Sequence, residues 1–353
     1  MDIRITKQTE KIRKSILQLF EKHNKLEFKE IYHFVSKKFS LKEGSIRRHV
    51  KALREQGSLA VSRVKNKYVF SLKNIEPFSF ELLTKDPLDE MLVWIQKVSP
   101  CLQHLSKAAR EILEYSFTEM LNNAISHADA KIIKITVITN SNFSIILIHD
   151  DGVGIFKKIK TDLKLQDEHQ SLLELSKGKF TSDPQNHTGE GIFFTSKACS
   201  AFIIKSGSLM YSQNKSEEFG LLEELEENAE TKGTTVIFSI NNDSSASLNR
   251  LFNDFAPAKE DNAFCKTIVP VKLLKYKDEG IVSRSQAKRL LTRFDKFKYV
   301  VLDFDGIDSI GQAFADEIFR IFKNNHKDIN LTYVNANANI KKMIMHVNKN
   351  ALC

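Results

Sequence analysis

Four polar motifs, three of them marked by glycine, follow one another between residues 117 and 238, and their order constrains this chain more than its composition does. The first, Phe117-Thr-Glu-Met-Leu-Asn-Asn-Ala-Ile-Ser-His127, ends a stretch in which Ala109, Ile112, Leu113, Phe117, Met120, Leu121 and Ala124 recur at helical spacing. A helix from about Ser106 to His127 is predicted, with Glu119 and Asn123 four apart and so on one face. A carboxylate and an amide set beside apolar positions need partners if buried. Hydrated magnesium and a nucleotide phosphate would serve, because magnesium keeps several waters and takes only one or two protein oxygens. Thr118 and Asn122 fall on other faces and receive no role. His127 reads as a helix-end residue within reach of the same ligand. Two strands follow, over 132–139 and 143–149, and the second runs into Asp150-Asp-Gly-Val-Gly-Ile155. Gly152 and Gly154 let backbone approach a ligand closely, and the carboxylate can accept from a base amino group. In His187-Thr-Gly-Glu-Gly-Ile-Phe-Phe-Thr-Ser-Lys197, Gly189 and Gly191 stand just before a helix, whose free amides suit a phosphate. Last comes Lys232-Gly-Thr-Thr-Val-Ile-Phe238, a strand opening with Gly233 and Thr234.

In this order the motifs resemble those of the GHKL superfamily of ATP-binding domains, shared by histidine kinases, gyrase-type ATPases, Hsp90, MutL proteins and anti-sigma serine kinases. The resemblance covers about residues 90–242 and implies a Bergerat-type α/β sandwich that binds ATP and Mg2+. By that likeness Glu119 matches the general-base carboxylate and Asn123 the magnesium-coordinating asparagine. Asp150 matches the aspartate that meets the adenine amino group, Gly152 and Gly154 shape the adenine pocket, and Gly189 and Gly191 meet the phosphates. Thr234 lies near the adenine. Residues 156–189 would form the ATP lid, with Lys177 and Lys179 either in a solvated loop or approaching the γ-phosphate. Two departures stand out. No helix pair with a phospho-accepting histidine precedes the block, and Ile192-Phe193-Phe194 replaces the leucine-rich continuation common in kinases.

Charge divides the rest of the chain. Residues 1–75 hold 19 Lys+Arg against 7 Asp+Glu, a surplus of +12 in a chain of net +9, so a polyanion partner is expected for this end alone. Ile12, Ile16, Leu17 and Phe20 predict one helix and residues 28–39 a second. A third runs between a Ser40 N-cap and a stop at Gly57, with Ile46, Val50 and Leu53 inward. Strands over 58–62 and 68–72 flank a basic turn. This pattern resembles a winged helix-turn-helix domain, which implies DNA binding. Ser45, Arg47, Arg48 and Lys51 would sit on the recognition helix, with Ser45, Arg47, Arg48 and His49 near its start as candidates for base edges, and Arg63, Lys65 and Lys67 would lie on the wing. Such domains often read paired half-sites, so a homodimer is an expectation.

Pro77 and Pro87 mark a linker over 76–89, and the polar run from Asn241 to Ser245 opens another over 243–262. Residues 263–353 then alternate strand and helix three times, with Tyr299-Val-Val-Leu-Asp303 as a buried strand and 312–322 as a helix. This α/β pattern resembles STAS domains, and most closely a STAS-like domain of unknown function found beside GHKL modules. It implies a protein partner or docking within the chain. Ser309 is the nearest match to the serine that GHKL kinases phosphorylate in STAS-type antagonists, though its loop is shorter. It also reads simply as a helix N-terminal residue.

The expected architecture is therefore an α/β multidomain chain: winged helix over 1–75, GHKL sandwich over 90–242 and STAS-like domain over 263–353. The four cysteines, Cys101, Cys199, Cys265 and Cys353, form no CxxC pair, which argues against zinc and against a disulfide framework. Reduced thiols, a charged N-terminus and the lack of any long apolar run give the expectation of a cytoplasmic protein with no membrane segment. Three functions fit the sequence: an ATP-responsive DNA-binding regulator, a serine protein kinase acting on a STAS domain, and a non-catalytic ATP-binding scaffold. In the first two, Glu119 would polarise water or a hydroxyl.

Overall fold

The computed structural model describes residues 7–21, 23, 25–73, 77–180, 189–214, 221–224, 231–256, 264–275 and 280–349. Within them the chain forms a mixed α/β multidomain protein with three separate sheets.

In the N-terminal unit, Lys7–Gln18 (α1), Phe28–Phe39 (α2) and Glu43–Glu55 (α3) pack on a small antiparallel sheet of Leu26–Glu27 (β1), Leu59–Val64 (β2) and Lys67–Leu72 (β3). Ile16, Ile31, Val35, Ile46, Val50 and Leu53 fill its core. A reciprocal cap starts α2, in which the Glu30 carboxylate accepts the Glu27 N–H at 2.7 Å. Ser40 does not cap α3 as expected. It ends α2 in the left-handed conformation (φ 52°), its N–H donating to the Ser36 carbonyl, and Lys42 takes the N-cap. Lys65 and Asn66, at φ 44° and 64°, make the two-residue turn between β2 and β3 that two successive positive φ values favour.

The central unit is one seven-stranded antiparallel sheet with helices against it. Phe78–Leu83 (β4) forms one edge, followed across the sheet by Ile132–Thr139 (β5) and Phe143–Asp150 (β6). Next come Thr231–Asn241 (β10), Ala201–Gly207 (β7), Leu209–Asn214 (β8) and Leu221–Glu224 (β9). The strand β4 corrects the expected linker over 76–89. Its residues pair along β5 from Phe78↔Val137 to Leu83↔Ile132, a partnership fixed by a strand fifty residues away. A short helix, Glu90–Val93 (α4), leads to the long helix Lys107–His127 (α5). The helix begins where predicted, and Ser106 caps it, its Oγ accepting the Ala109 N–H at 3.1 Å. Alternate residues of β5 and β6 turn inward, and Ile133, Ile135, Ile146 and Ile148 pack with Ile112, Leu113 and Phe117 of α5. The segment expected as an irregular lid contains two helices, Ile155–Asp162 (α6) and His169–Lys177 (α7). Gly191–Ala198 (α8) follows it.

The C-terminal unit is a parallel sheet of Lys266–Pro270 (β11), Tyr299–Asp303 (β12) and Asn330–Val334 (β13). Arg284–Leu291 (α10) joins the first pair of strands. Gln312–Asp316 (α11), continued by a widened turn into Lys323–Asn325 (α12), joins the second, and Ala338–Lys349 (α13) closes the unit. The expected linker over 243–262 is also corrected, since Leu248–Phe255 (α9) is a helix capped by Ser247. Phe255, Phe264, Phe193 and Phe194 join the same core as Val269, Leu290 and Phe314, so the central and C-terminal units share one hydrophobic interior.

The N-terminal unit touches the turn between β5 and β6. Asn142 Nδ2 donates to the Leu17 carbonyl at 2.9 Å, Ser141 Oγ to the Ser58 carbonyl at 3.4 Å, and Lys14 pairs with Asp243. Among the described residues Cys101, Cys199 and Cys265 form no disulfide, and Cys353 lies outside them. Among the described residues no helix is long and apolar enough to cross a membrane.

Candidate functional site

A cavity of about 340 Å3 opens between α5, the end of β6, the start of α6, the end of α7, the start of α8 and β10. That is the size at which small-molecule sites begin. Glu119, Asn123, Asp150, Gly154, Gly189, Gly191 and Thr234 all line it, although they come from four segments spread over more than 110 residues.

One end is a fixed polar floor. Asp150 is buried at the end of β6, and its Oδ1 accepts the N–H of Gly152 at 3.0 Å and of Thr234 at 3.2 Å. Thr234 stands opposite Asp150 across the β6–β10 pair, and its Oγ1 accepts the Ile155 N–H at 3.0 Å. Burial raises the Asp150 carboxyl above the usual range, while the two backbone amides pull it back. Gly152 is the one predicted residue that does not line the cavity. It supports Asp150 from behind, and a Cβ there would fall 2.0 Å from the Ala128 carbonyl oxygen.

The other end gathers the carboxylates and the start of α8. A Cβ on Gly191 would lie 2.0 Å from Glu119 Oε2, so the Glu119 carboxylate sits directly against the first residue of α8. Glu190, next to it, has its carboxyl raised by burial and by Glu119, with Lys179 opposing. Asn122, given no role from the sequence, lines the cavity beside Asn123, and its Oδ1 accepts from Ser126 Oγ at 2.9 Å. The spacing held the signal, since Glu119 and Asn122 are three apart and share a face as Glu119 and Asn123 do. Lys158 and Phe180 also line the cavity and were not anticipated. Lys158, on α6, is 4.0 Å from the Asp129 carboxylate. His127 lines the cavity from the end of α5.

The two lid lysines behave differently from both expectations. Lys177 is fully buried and 2.6 Å from Glu174, with its Nζ also donating to the Thr292 carbonyl at 2.8 Å. Lys179 donates to the Lys296 carbonyl at 3.1 Å. Neither lines the cavity, because the C-terminal unit holds both. His187 and Thr188 lie outside the described residues.

On the N-terminal unit, Arg47, Arg48, Lys51, Arg63, Lys65 and Lys67 are exposed and Ser45 is half-buried. Arg47 is held by Glu43 at 2.6 Å and lies over the Phe28 ring at 4.1 Å, while Lys67 pairs with Glu27 at 2.7 Å. Lys51 is 3.7 Å from Glu55. Ser309 is exposed beyond the C-terminal end of β12. Gly311, not Ser309, is the N-cap of α11. Thr267, on β11, donates to the Lys177 carbonyl at 2.8 Å, and α7 packs along β11 and onto Val271–Leu274 beyond it.

The chain is thus a mixed α/β multidomain protein with a well-formed cavity in its central unit and a STAS-like domain at its C-terminus. Residues 286–341 match the STAS-like domain of unknown function (DUF4325). A search of curated proteins gives no match. Among solved structures, the possible transcriptional regulator YydK from Bacillus subtilis is 9% identical and covers 67% of this chain and 98% of its own. Its TM-score is 0.15, at which level the likeness carries no argument.

Proposed function

We propose that the central unit is a GHKL-type module that binds Mg-ATP, and that the chain is a nucleotide-dependent, DNA-associated regulator with a STAS-like interaction domain. The observation that carries this reading is the convergence of Glu119, Asn123, Asp150 and Thr234 with Gly189 and Gly191 on one cavity. The donor set suits the ligands. Asp150 presents an acceptor at the end where an adenine amino group would bind. Asn123 and Asn122 offer amide oxygens at the other, as magnesium with phosphate and water ligands requires. Magnesium would neutralise phosphate charge when bound. Glu119, held against the start of α8, is the group placed to take a proton from an attacking water.

The surplus of +12 in residues 1–75 and the exposed Arg48, Arg63 and Lys65 support DNA as the partner of the N-terminal unit, read as a winged helix. Ser309 is exposed beyond the end of β12, and no observation favours transfer to it within the chain.

The test is calorimetric Mg-ATP binding by the whole chain, with phosphate release and intact-mass measurement on the same samples. Asn123→Ala should lose magnesium-dependent binding, and Glu119→Ala should keep binding but lose phosphate release. Undiminished Mg-ATP binding by Asn123→Ala would sink the assignment.

A further inference from the structure

The C-terminal unit reaches the phosphate-side wall of the cavity through Phe264, which packs on Phe193, and through Arg293. Arg293 follows α10, and every hydrogen-bond acceptor of its guanidinium among the described residues belongs to the central unit. Its Nη1 donates to Glu174 Oε2 at 3.0 Å and to the Glu174 carbonyl at 3.4 Å. Its Nη2 donates to the Gly178 carbonyl at 2.9 Å and to that of Lys179. The guanidinium also lies 5.6 Å from the centre of the Phe180 ring. The backbone of Arg293 is left-handed (φ 63°), a conformation an arginine adopts at a cost and keeps where its surroundings fix it.

The strip that Arg293 holds is the one that positions the glycine motif. The Phe180 N–H donates to the Gly189 carbonyl at 3.2 Å, and a Cβ on Gly189 would fall 2.4 Å from the Phe180 carbonyl carbon and oxygen. Phe180 and Gly189 line the cavity side by side. We propose that Arg293 is a positioning residue for the phosphate-binding end of the cavity, which makes the STAS-like unit a structural part of the nucleotide site. This rests on the nucleotide reading above. Arg293 fixes the carbonyls of Gly178 and Lys179, these fix Phe180, and Phe180 fixes Gly189. Among the described residues the side chains of Asp150 and Thr234 bond only Gly152, Thr234 and Ile155, outside this chain of residues, so the two ends of the cavity depend on Arg293 differently.

The experiment compares Mg-ATP and adenosine as ligands of the full chain, wild type beside Arg293→Gln and Arg293→Lys. Adenosine reads the Asp150 end alone. Arg293→Gln should weaken Mg-ATP about tenfold or more, the effect of a lost charge-assisted hydrogen bond, and leave adenosine within about twofold. Arg293→Lys keeps the charge beside Glu174 but not the planar fork, so it should fold like wild type and still lose Mg-ATP affinity. Hydrogen exchange without nucleotide should quicken over residues 178–180 and 189–193 in both variants and stay unchanged over 143–150. Equal weakening of both ligands would mean a general structural role and overturn the proposal, as would unchanged Mg-ATP affinity or unchanged exchange. A wild type that binds neither ligand would instead remove the nucleotide reading itself.

Discussion

Glu174→Gln is the substitution whose cost follows most directly from the geometry. Glu174 lies between two cations, with Lys177 Nζ 2.6 Å from one carboxylate oxygen and Arg293 Nη1 3.0 Å from the other. Side-chain exposure is 3% for Glu174, 0% for Lys177 and 9% for Arg293, so water screens little of this charge. Removing the single anion leaves two buried cations facing one another. Breaking a buried pair from one side typically costs about 3–5 kcal/mol, because the stranded charge stays desolvated. That is a large share of the roughly 5–15 kcal/mol that holds a domain folded. Urea unfolding can follow it through Trp94, the only tryptophan, which is buried 5.6 Å from Phe117 in the central core. The shared interior of the central and C-terminal units means that loss at their junction should move this transition too. The double variant Glu174→Gln/Lys177→Met, with one stranded cation instead of two, should recover about 1–2 kcal/mol of the loss. A cost below about 1 kcal/mol for Glu174→Gln, or a double variant no better than the single, would refute the reasoning.

The same cluster predicts a pH dependence. Burial lowers the Lys177 ammonium from 10.5 to about 8, against the pull of Glu174 and with some help from Arg293. The folded chain therefore gives up this proton before the unfolded chain does. The group's contribution to stability rises with pH across the window from about 8 to 10.5 and is flat below it. In Glu174→Gln the anion that supports the charged lysine is gone, so the deficit against wild type should be smaller at pH 9 than at pH 6. An equal deficit at both values would show that Lys177 is not the titrating group.

Three further outcomes are expected. Gly191→Ala places a Cβ 2.0 Å from Glu119 Oε2 and must displace that carboxylate. Phosphate release should fall by about 10²-fold, as a misplacement of about 1 Å does, while the Trp94 unfolding midpoint barely moves. Lys51→Ala and Lys65→Ala should each weaken duplex DNA binding alike on all sequences and flatten its logarithmic salt dependence by about 1, which titrations at several salt concentrations would read. Phe193→Ala removes a ring that meets Phe194, Phe255 and Phe264 at 5.4, 5.0 and 4.8 Å. It should cost about 3–5 kcal/mol in urea unfolding, and a loss under 1 kcal/mol would mean the two units do not depend on this junction.

Features governed by near neighbours were legible in the sequence. The helix from Ser106 shows its apolar stripe within one stretch, and β5 and β6 are short isoleucine-rich runs parted by Asn140-Ser-Asn142. The cavity was legible because each motif carries its own local signature, although nothing local says that the four converge. Features decided by distant partners were not. Phe78-Ser-Phe-Glu-Leu-Leu83 stands between two prolines and reads as a joining stretch until β5 supplies its hydrogen bonds. Phe252 and Phe255 lie in a polar tract, and the rings they pack on, Tyr115, Phe193 and Phe194, stand far off in the sequence. Lys177 illustrates the limit most clearly. A lysine in a charged segment is ordinarily solvated, and its burial follows from Glu174 one turn away together with Thr292, which arrives from 115 residues further on.

The two outer units grip the central one at opposite ends and with different strength. Among the described residues the N-terminal unit meets the turn between β5 and β6 through two side-chain hydrogen bonds, and Asp243 after β10 through an exposed ion pair of the kind worth about 0–1 kcal/mol. Asp150 lies at the other end of β6, eight residues or about 25 Å away. Yet the turn is not isolated from α5. Asn242 donates to the Asn140 carbonyl at 2.7 Å and accepts from Ser144 at 2.9 Å, while its own carbonyl accepts the Ser106 N–H at the cap of α5 at 2.8 Å. The helix that carries Glu119 and Asn123 is therefore anchored at its start to the place where the basic unit docks. The lid at the far end is locked into the C-terminal interior by aromatic packing and a buried charge cluster. A ligand in the cavity can bias the basic unit only if two arrangements of this anchored helix bind it differently. The weak contact at the turn is the one that can yield, because the C-terminal junction cannot open without exposing its phenylalanines and stranding the charges around Glu174.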